Sequence, residues 1–233
     1  MGKTHTPNLQ FELAFWSDGY RVVAGLDEAG RGAWAGPVVA AAVVLPPLDA
    51  AQARNWMRSE LYRAVSRVDD SKRLTPKARE ELFEPIRACA LACATGAASH
   101  QEIDEIGIVP ASKLAMQRAL DGLSLSPDAL LLDALVLQEV DLVQMGVVHG
   151  DGLSVSIAAA SILAKVTRDR LMCDLESDFP GYCFSHHKGY GTAEHVAALA
   201  RLGPSAIHRR SYEPIRLPIE QGITPEPVQP DAL

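Results

Sequence analysis

The chain has 233 residues, of which 48% are hydrophobic, and its formal net charge is −7 at pH 7, with an isoelectric point near 5.5. A chain of this length can bury one α/β core, and its negative charge excludes bulk electrostatic coating of nucleic acid while leaving room for a local basic groove. The four cysteines form no Cys-x-x-Cys pair, and no apolar run suits a membrane span or a signal peptide, so we expect a cytoplasmic protein with reduced thiols.

The first predicted elements are a β-hairpin, a helix and a further strand. Residues 22–26 and 38–45 are β-branched, strand-like runs that a glycine-rich turn joins. Thr75 is a helix cap followed by proline, which predicts a helix over 76–89. The small residues of 91–99 then predict another strand.

Helices dominate the second half of the predicted pattern. A helical stretch over 103–120 is interrupted near its start by a glycine and a proline, and short buried strands are expected at 129–132 and 147–148. A long helix begins at Ser154, and a last helix over 192–202 ends at a Gly-Pro pair. The opening hairpin and the mixed element order predict a mixed sheet covered by helices.

The spacing along the long helix predicts an apolar side and a polar side. The expected apolar side contains Ile157, Ala160, Ala164 and Leu171, and the expected polar side contains Ser161, Lys165 and Arg168.

The two ends of the chain are expected to be tails. Residues 1–18 precede the first predicted strand, and 217–233 are proline-rich, acidic and weakly apolar. Such a segment has few means of offsetting the entropy that ordering would cost, so the second tail is expected to be disordered. The domain is therefore expected to occupy 19–216.

Two carboxylates and a glycine-flanked arginine follow the first predicted strand. Adjacent residues on a regular strand point to opposite faces, so Asp27 and Glu28 can serve one site only where the strand ends. The acids indicate a divalent metal, and Gly30, Arg31 and Gly32 indicate exposed backbone N–H groups beside a polar or anionic ligand. A polar turn with solvent-facing charges is the alternative.

Two more predicted strands are followed by acids, Asp133 and Asp151. Separately, each is typical of a turn or a helix cap. If they converge with Asp27 and Glu28, four carboxylates share one place, which is costly unless cations are bound. Oxygen-only ligands favour Mg²⁺ or Mn²⁺ over Zn²⁺, and two such ions about 3.5–4 Å apart can assist in-line attack on a phosphodiester. The residue types therefore indicate a nuclease or phosphoryl-transfer enzyme.

Over residues 21–216 the chain resembles bacterial ribonuclease HII, the type 2 branch of ribonuclease H. Several sequence blocks carry the resemblance, and they are specific in combination. They are Asp27-Glu28-Ala29-Gly30-Arg31-Gly32, Gly36-Pro37-Val38-Val39-Ala40-Ala41, Asp70-Ser71-Lys72-Arg73-Leu74, Asp133, Gly150-Asp151, 157–166, Phe179-Pro180-Gly181-Tyr182, His187-Lys188-Gly189-Tyr190-Gly191-Thr192 and His208-Arg209-Arg210-Ser211-Tyr212.

The resemblance implies an α/β, ribonuclease H-like fold with a mixed sheet flanked by helices and a C-terminal helical segment. It further implies an enzyme that cuts the RNA strand of RNA/DNA hybrids and nicks duplex DNA at embedded ribonucleotides, leaving 5′-phosphate and 3′-hydroxyl ends. Two divalent ions, Mg²⁺ or Mn²⁺, are implied as cofactors, and a monomer is the family default.

The resemblance also assigns residues. The family's catalytic and metal-binding carboxylates match Asp27, Glu28, Asp133 and Asp151. The turn that reads the ribose 2′-hydroxyl matches Gly30, Arg31 and Gly32, and this role is physically reasonable because the 2′-hydroxyl distinguishes RNA from DNA.

Other matches concern the substrate backbone. Tyr190 matches the tyrosine that packs on the sugar at the RNA-to-DNA junction, although a lone tyrosine is more commonly a core residue. Ser71 and Lys72 match a contact to the substrate backbone, with a polar loop as the alternative. The basic segment 208–210 either binds phosphates or holds the C-terminal part of the chain in place.

The sequence departs from the family pattern in three places. Ala134 stands where the family usually has glycine, and His149 replaces a usual lysine. Residues 49–68 form an insertion that the family core generally lacks, and we expect it to be an amphipathic surface helix.

Two alternatives remain. Type 3 ribonuclease H shares the carboxylates but adds an N-terminal substrate-binding domain, whereas fewer than about 20 residues precede the first predicted strand here. Arg31, in place of lysine, also favours type 2. A noncatalytic hybrid-binding module is the other alternative, but an anionic cluster hinders the binding of phosphates.

Overall fold

The computed structural model describes residues 6–56, 58, 59, 62 and 74–220. In chain order the elements are α1 Gln10–Ser17, β1 Val23–Ala29, β2 Val38–Val44, α2 Ala50–Trp56, α3 Pro76–Cys89, β3 Ala92–Ala98, α4 His100–Ile106, α5 Ile108–Asp121, β4 Ala129–Asp133, β5 Val143–Val147, α6 Val155–Asp178, α7 Phe184–His187, α8 Ala193–Leu202 and α9 Glu213–Glu220.

The strands form one five-stranded sheet in the order β3-β2-β1-β4-β5. β1 pairs antiparallel with β2 and parallel with β4, and β4 pairs parallel with β5. The mixed sheet and its opening hairpin were predicted from the sequence, and both are confirmed. Its central strands are buried because β1, β2 and β4 consist largely of valine, leucine and alanine.

Whereas the length of the chain favoured one domain, the residues divide into two compact units. Of the described residues, those within 1–29, 39–97 and 113–166 form the first unit, and those within 30–38, 98–112 and 167–220 form the second. All five strands lie wholly or almost wholly in the first unit.

In the first unit, the beginning of α6 lies against β1. A Cβ atom on Gly25 would overlap the backbone and side chain of Ser156, so only glycine allows this close approach. The approach matters for the site because Gly25 lies two residues before Asp27.

The prediction of an N-terminal tail is wrong for residues 10–17, which form α1. Phe15 and Trp16 are buried in the core of the first unit, and Glu12 is fully buried. One carboxylate oxygen of Glu12, Oε1, accepts hydrogen bonds from the hydroxyls of Ser154 and Ser156 at 2.6 and 2.7 Å. The buried carboxylate of Glu12 therefore anchors the segment that was expected to be a tail.

The prediction of a C-terminal tail is wrong for residues 217–220, which belong to α9, and the rest of the predicted tail, 221–233, lies outside the described residues. The insertion contains a helix, Ala50–Trp56, and most of its remainder lies outside the described residues. The predicted strand at 147–148 is instead β5, Val143–Val147, while Val148 is 67% exposed. The sequence pattern was weak because β5 is an edge strand with exposed apolar side chains.

The predicted apolar side of α6 is confirmed for Ile157, Ala160 and Ala164, which are fully buried, but the two-sided pattern fails further along the helix. Arg168 is fully buried, although it was placed on the polar side, and Leu171 is 38% exposed, although it was placed on the apolar side. A helix that is covered by other elements on several sides does not obey a simple two-sided pattern. In the second unit, α6 packs beside a small core around Phe184 and Met172.

Candidate active site

The predicted acids lie at one edge of the sheet, in the first unit. Asp27 and Glu28 lie near the end of β1, and Asp133 is the last residue of β4. Because β1 and β4 are parallel neighbours, paired up to the residues before these acids, the carboxylates occur at the same end of both strands. Asp151 follows β5, in a short 3₁₀-helix at Gly150–Gly152.

Asp27 has the most perturbed environment of the set. It is 6% exposed, and its burial is the largest cause that raises the pKa of its carboxyl well above the ordinary value. Neighbouring negative charges raise the pKa of Asp27 further, and these belong to Glu28, Asp133 and Asp151. The backbone N–H of Glu28 donates to Oδ1 of Asp27 at 2.7 Å and partly offsets them. The four acids therefore share one electrostatic environment.

The loop after β5 is held against the end of β4. The backbone N–H of Gly150 donates to Oδ1 of Asp133 at 2.8 Å, and a Cβ atom on Gly150 would lie 2.7 Å from Cδ1 of Ile157. Ala134 and His149, two of the departures from the family pattern, have left-handed backbones with φ of 53° and 58°. Glycine adopts this conformation with less strain than alanine does, which explains why the pattern has glycine at the first of them.

The chemistry of this donor set fits hard divalent cations. Carboxylates supply only oxygen ligands, and a cation offsets both the burial of Asp27 and the repulsion between the acids. The carboxylate oxygens of these four acids do not all lie within 4.8 Å of one another. In the described part of the chain, only Cys183, His186 and Glu194 form a group of three or more His, Cys, Asp or Glu residues whose ligand atoms all lie within 4.8 Å.

The Gly30-Arg31-Gly32 turn begins the second unit. Gly30 has a φ of 99°, and a Cβ atom there would overlap the side chain of Arg168. A Cβ atom on Gly32 would meet no heavy atom within 4 Å, and Arg31 is exposed. Packing therefore requires glycine at 30, whereas the surroundings of Gly32 are open to a ligand.

Arg209 holds this turn in place. It is fully buried, and its Nε donates to the carbonyl oxygen of Gly36 at 3.0 Å. Its Nη1 donates to the carbonyl oxygen of Arg31 and to the hydroxyl of Tyr212, each at 3.0 Å. Of the two roles considered for the basic segment 208–210, Arg209 has the structural one.

The backbone on both sides of Tyr190 packs on Trp34. The backbone N–H of Trp34 donates to the carbonyl oxygen of Gly189 at 2.8 Å, and a Cβ atom on Gly191 would overlap the indole ring. Tyr190 itself is half-buried, and the guanidinium carbon of Arg168 lies 5.3 Å from the centre of its ring. The turn and Tyr190 thus belong to one packed group within the second unit.

Three histidines hold the chain around Tyr190. The backbone N–H of Ser205 donates to Nδ1 of His208, so the neutral ring of His208 carries its hydrogen on Nε2. This Nε2–H donates to Nε2 of His195 at 2.9 Å, and Nδ1–H of His195 then donates to the carbonyl oxygen of Tyr190 at 3.0 Å. His187 stacks on His195 with ring centres 4.4 Å apart.

Two of the predicted substrate contacts, Ser71 and Lys72, lie outside the described residues. None of the described helices is both long enough and apolar enough to span a membrane.

A family model described as Ribonuclease HII matches residues 24–215. The chain belongs to the ribonuclease HII family. Among its relatives, ribonuclease HII of Chloroflexus aurantiacus is 49% identical over 212 residues, which cover 90% of this chain and 94% of the relative. Ribonuclease HII of Dehalococcoides mccartyi is 47% identical over 210 residues, with 90% and 94% covered.

Solved structures agree with this membership of the ribonuclease HII family. The ribonuclease H2 of Pyrococcus horikoshii is 26% identical, with a TM-score of 0.62 and coverage of 85% of this chain and 97% of that chain. The Bst-RNase HIII structure in complex with Mn²⁺ is 18% identical, with a TM-score of 0.62 and coverage of 91% and 73%, and shows a shared fold. As a ribonuclease HII, the protein is an endoribonuclease that hydrolyses phosphodiester bonds and uses divalent metal.

In this ribonuclease HII, sequence reasoning missed the buried residues that support the Gly30-Arg31-Gly32 turn and Tyr190. Arg168 was placed on a polar helix side, and the contact between His195 and His208 was not anticipated. A single histidine or arginine carries no local signal of its own burial. The family blocks around 157–166 and 208–212 were the available hint, because those blocks contain or adjoin these residues.

Proposed function

We propose that this enzyme hydrolyses the RNA strand of RNA/DNA hybrids and incises duplex DNA at embedded ribonucleotides, leaving 5′-phosphate and 3′-hydroxyl ends. The observation that carries the proposal is the convergence of four acids at one end of β1, β4 and the loop after β5, where burial and the charges of the other three acids raise the pKa of Asp27. A binding module gains nothing from such an anionic cluster, which would repel phosphates.

The proposed cofactors are two divalent ions, Mg²⁺ or Mn²⁺. Asp27, Glu28, Asp133 and Asp151 would hold them through carboxylate oxygens. When bound, such ions activate a water molecule and stabilise the leaving oxygen during attack on a phosphodiester. The Mn²⁺ complex of Bst-RNase HIII is a property of that protein and is the reason to test both metals.

The substrate-reading role is proposed for the second unit. The open surroundings of Gly32 suit close approach of a ribose 2′-hydroxyl to backbone groups, and exposed Arg31 suits the adjoining phosphate. Tyr190, held by Trp34 and His195, would pack on the sugar at the RNA-to-DNA junction. Ser71 and Lys72 are proposed as further contacts to the substrate backbone, and the enzyme is proposed to act as a monomer.

An end-labelled DNA duplex with one ribonucleotide tests the activity. Wild-type protein and Asp27→Asn are incubated with Mg²⁺, Mn²⁺ or a chelator, alongside an all-DNA duplex and an RNA/DNA hybrid. We expect metal-dependent cleavage beside the ribonucleotide and within the hybrid, and no cleavage by the variant or of the all-DNA duplex. Binding without cleavage by the wild type, or equal cleavage of the all-DNA duplex, would refute the proposal.

Arg31→Ala tests substrate reading separately from catalysis. Because Arg31 is proposed to act beside the 2′-hydroxyl, the variant should lose more affinity for a single-ribonucleotide duplex than for all-DNA. Equal losses of affinity for the two duplexes would show that Arg31 only contributes charge.

A further inference from the structure

Arg168 is a buried charge to which neither the predicted chemistry nor the predicted substrate contacts gave a role. It lies on α6 and is fully buried. Burial, the largest cause, lowers the pKa of its guanidinium from the ordinary value to about 10, so the group remains charged at neutral pH. Burying a charged group costs free energy unless the surroundings are arranged around it. The contacts of the guanidinium therefore indicate the role of Arg168.

One edge of the guanidinium is directed at the loop that contains the Gly30-Arg31-Gly32 turn. Nε of Arg168 donates to the carbonyl oxygen of Pro37 at 2.9 Å, and Nη2 donates to that of Ala35 at 3.2 Å. The turn itself lies against the same side chain, since a Cβ atom on Gly30 would overlap its Nε and Cδ atoms. Arg168 thus contacts the loop at both ends.

The flat face of the guanidinium meets Tyr190. The guanidinium carbon lies 5.3 Å from the ring centre, which is within the range of a cation–π contact. Arg209, the other buried arginine of this region, contacts the loop through Gly36 and Arg31 and stacks on Tyr212.

We propose that Arg168 is a positioning residue that sets the turn of Gly30 and the ring of Tyr190 relative to each other without touching substrate. The inference rests on the proposed function, in which these two elements read the ribose and the sugar at the junction. A planar guanidinium can donate along its edge and stack on its face at once, whereas the ammonium of lysine cannot do both. Selectivity for a ribonucleotide followed by DNA therefore depends on arginine at this position.

The first test is Arg168→Lys, with Arg201→Lys as the matched control. Arg201 lies in the same unit and also donates to a backbone carbonyl, that of Gly181, at 2.8 Å. We expect Arg168→Lys to lower kcat/KM for a single-ribonucleotide duplex about 10-fold or more, in line with the loss of a positioning group. The stabilisation of the protein by Mg²⁺, measured as a shift of Tm, should remain as in the wild type. The control variant should change neither quantity.

A double-mutant cycle identifies the partner through which Arg168 acts. If Arg168 acts by orienting Tyr190, adding Arg168→Lys to Tyr190→Ala should cause little further loss of kcat/KM. Additive losses, or a parallel loss of Mg²⁺-induced stabilisation, would overturn the inference and indicate a general folding role.

A measurement on the wild-type protein keeps the test independent of variant folding. The NMR signal of the Arg168 Nε–H should shift when a single-ribonucleotide duplex binds in the presence of Ca²⁺, and shift less with an all-DNA duplex. An identical response to both duplexes contradicts the inference.

Variants of the two proposed substrate-reading residues separate this inference from the proposed function. If Tyr190→Ala and Arg31→Ala both leave ribonucleotide selectivity unchanged, the proposed substrate reading is wrong. If they reduce selectivity while Arg168→Lys does not, only the role of Arg168 is refuted.

Discussion

The Nε2 atoms of His195 and His208 lie 2.9 Å apart in the interior of the second unit, and the hydrogen between them belongs to His208. Burial, the largest cause in both rings, lowers the pKa of His195 to about 4 and that of His208 to about 3. Protonation of either ring would place two hydrogens face to face or remove the acceptor for the Ser205 N–H. The pair is therefore built to be neutral.

The histidine pair predicts a loss of stability in acid. In the unfolded chain these groups titrate near 6.5, so the unfolded state binds more protons than the native state below that pH. Their contribution is complete above pH 6.5 and is lost as the pH falls from 6.5 toward 4 and then 3. His208→Asn should be less stable than the wild type at pH 7.5 but should show a shallower decline, measured by urea unfolding between pH 7.5 and 4. A His208→Asn slope equal to the wild type would contradict the assignment.

Asp27→Asn should make the metal-free protein more stable while removing activity. The amide oxygen can still accept the N–H of Glu28, but the buried negative charge and its repulsion from the other acids are gone. We expect the free energy of unfolding to rise by about 1 kcal/mol or more, and each kcal/mol should raise Tm by about 2–4 °C. Divalent metal should no longer raise Tm as in the wild type, and cleavage should fall at least about 100-fold. If the metal-free Asp27→Asn variant had a lower Tm than the metal-free wild type, the carboxylate of Asp27 would be stabilised by its surroundings, which would contradict this prediction.

Gly30 and Gly32 should respond differently to alanine. Gly30→Ala combines a φ of 99° with overlap of Arg168, which together cost about 2–5 kcal/mol of folding free energy. Gly32→Ala places its Cβ in open space and should change stability by less than about 1 kcal/mol. If the turn reads the ribose, Gly32→Ala should nevertheless weaken binding of a single-ribonucleotide duplex. Denaturant unfolding and duplex titration distinguish the two effects, and equal destabilisation by both variants would contradict the packing argument.

Glu12 should be essential for the docking of α1. Its Oε1 accepts bonds from Ser154 Oγ and from the backbone N–H and hydroxyl of Ser156. Glu12→Ala leaves these buried donors without their acceptor and should cost about 2–4 kcal/mol, whereas Glu12→Gln keeps an oxygen there and should cost less. Gln10→Ala, an exposed change in the same helix, is the control for helix propensity. Equal effects of the Ala variants at 10 and 12 would mean that residues 10–17 behave as the tail that the sequence predicted.

The sequence was most informative where local chemistry and spacing are sufficient. The Thr75 cap and the helix break at Gly107 are local patterns, and each was found in the structure. The predicted strand at 22–26 was also found, but it does not end before the acids, because β1 continues through Asp27 and Glu28 to Ala29. The sequence was least informative for α1 and β5. The docking of α1 depends on Glu12, whose serine partners lie more than 140 positions away in the chain, so no local pattern could indicate it. An edge strand such as β5 lacks a continuous apolar run.

By itself, the sequence determined the identity of the acids, the glycine-flanked arginine and the mixed sheet, because residue type and short-range spacing specify those features. Only the tertiary structure decided how the acids are combined, since parallel pairing of β1 with β4 brings Asp27 and Asp133 to one end of the sheet. It likewise decided that Arg168, His195 and His208 are buried supports rather than surface charges. Burial depends on every element that packs around a side chain, and no local pattern contains that information.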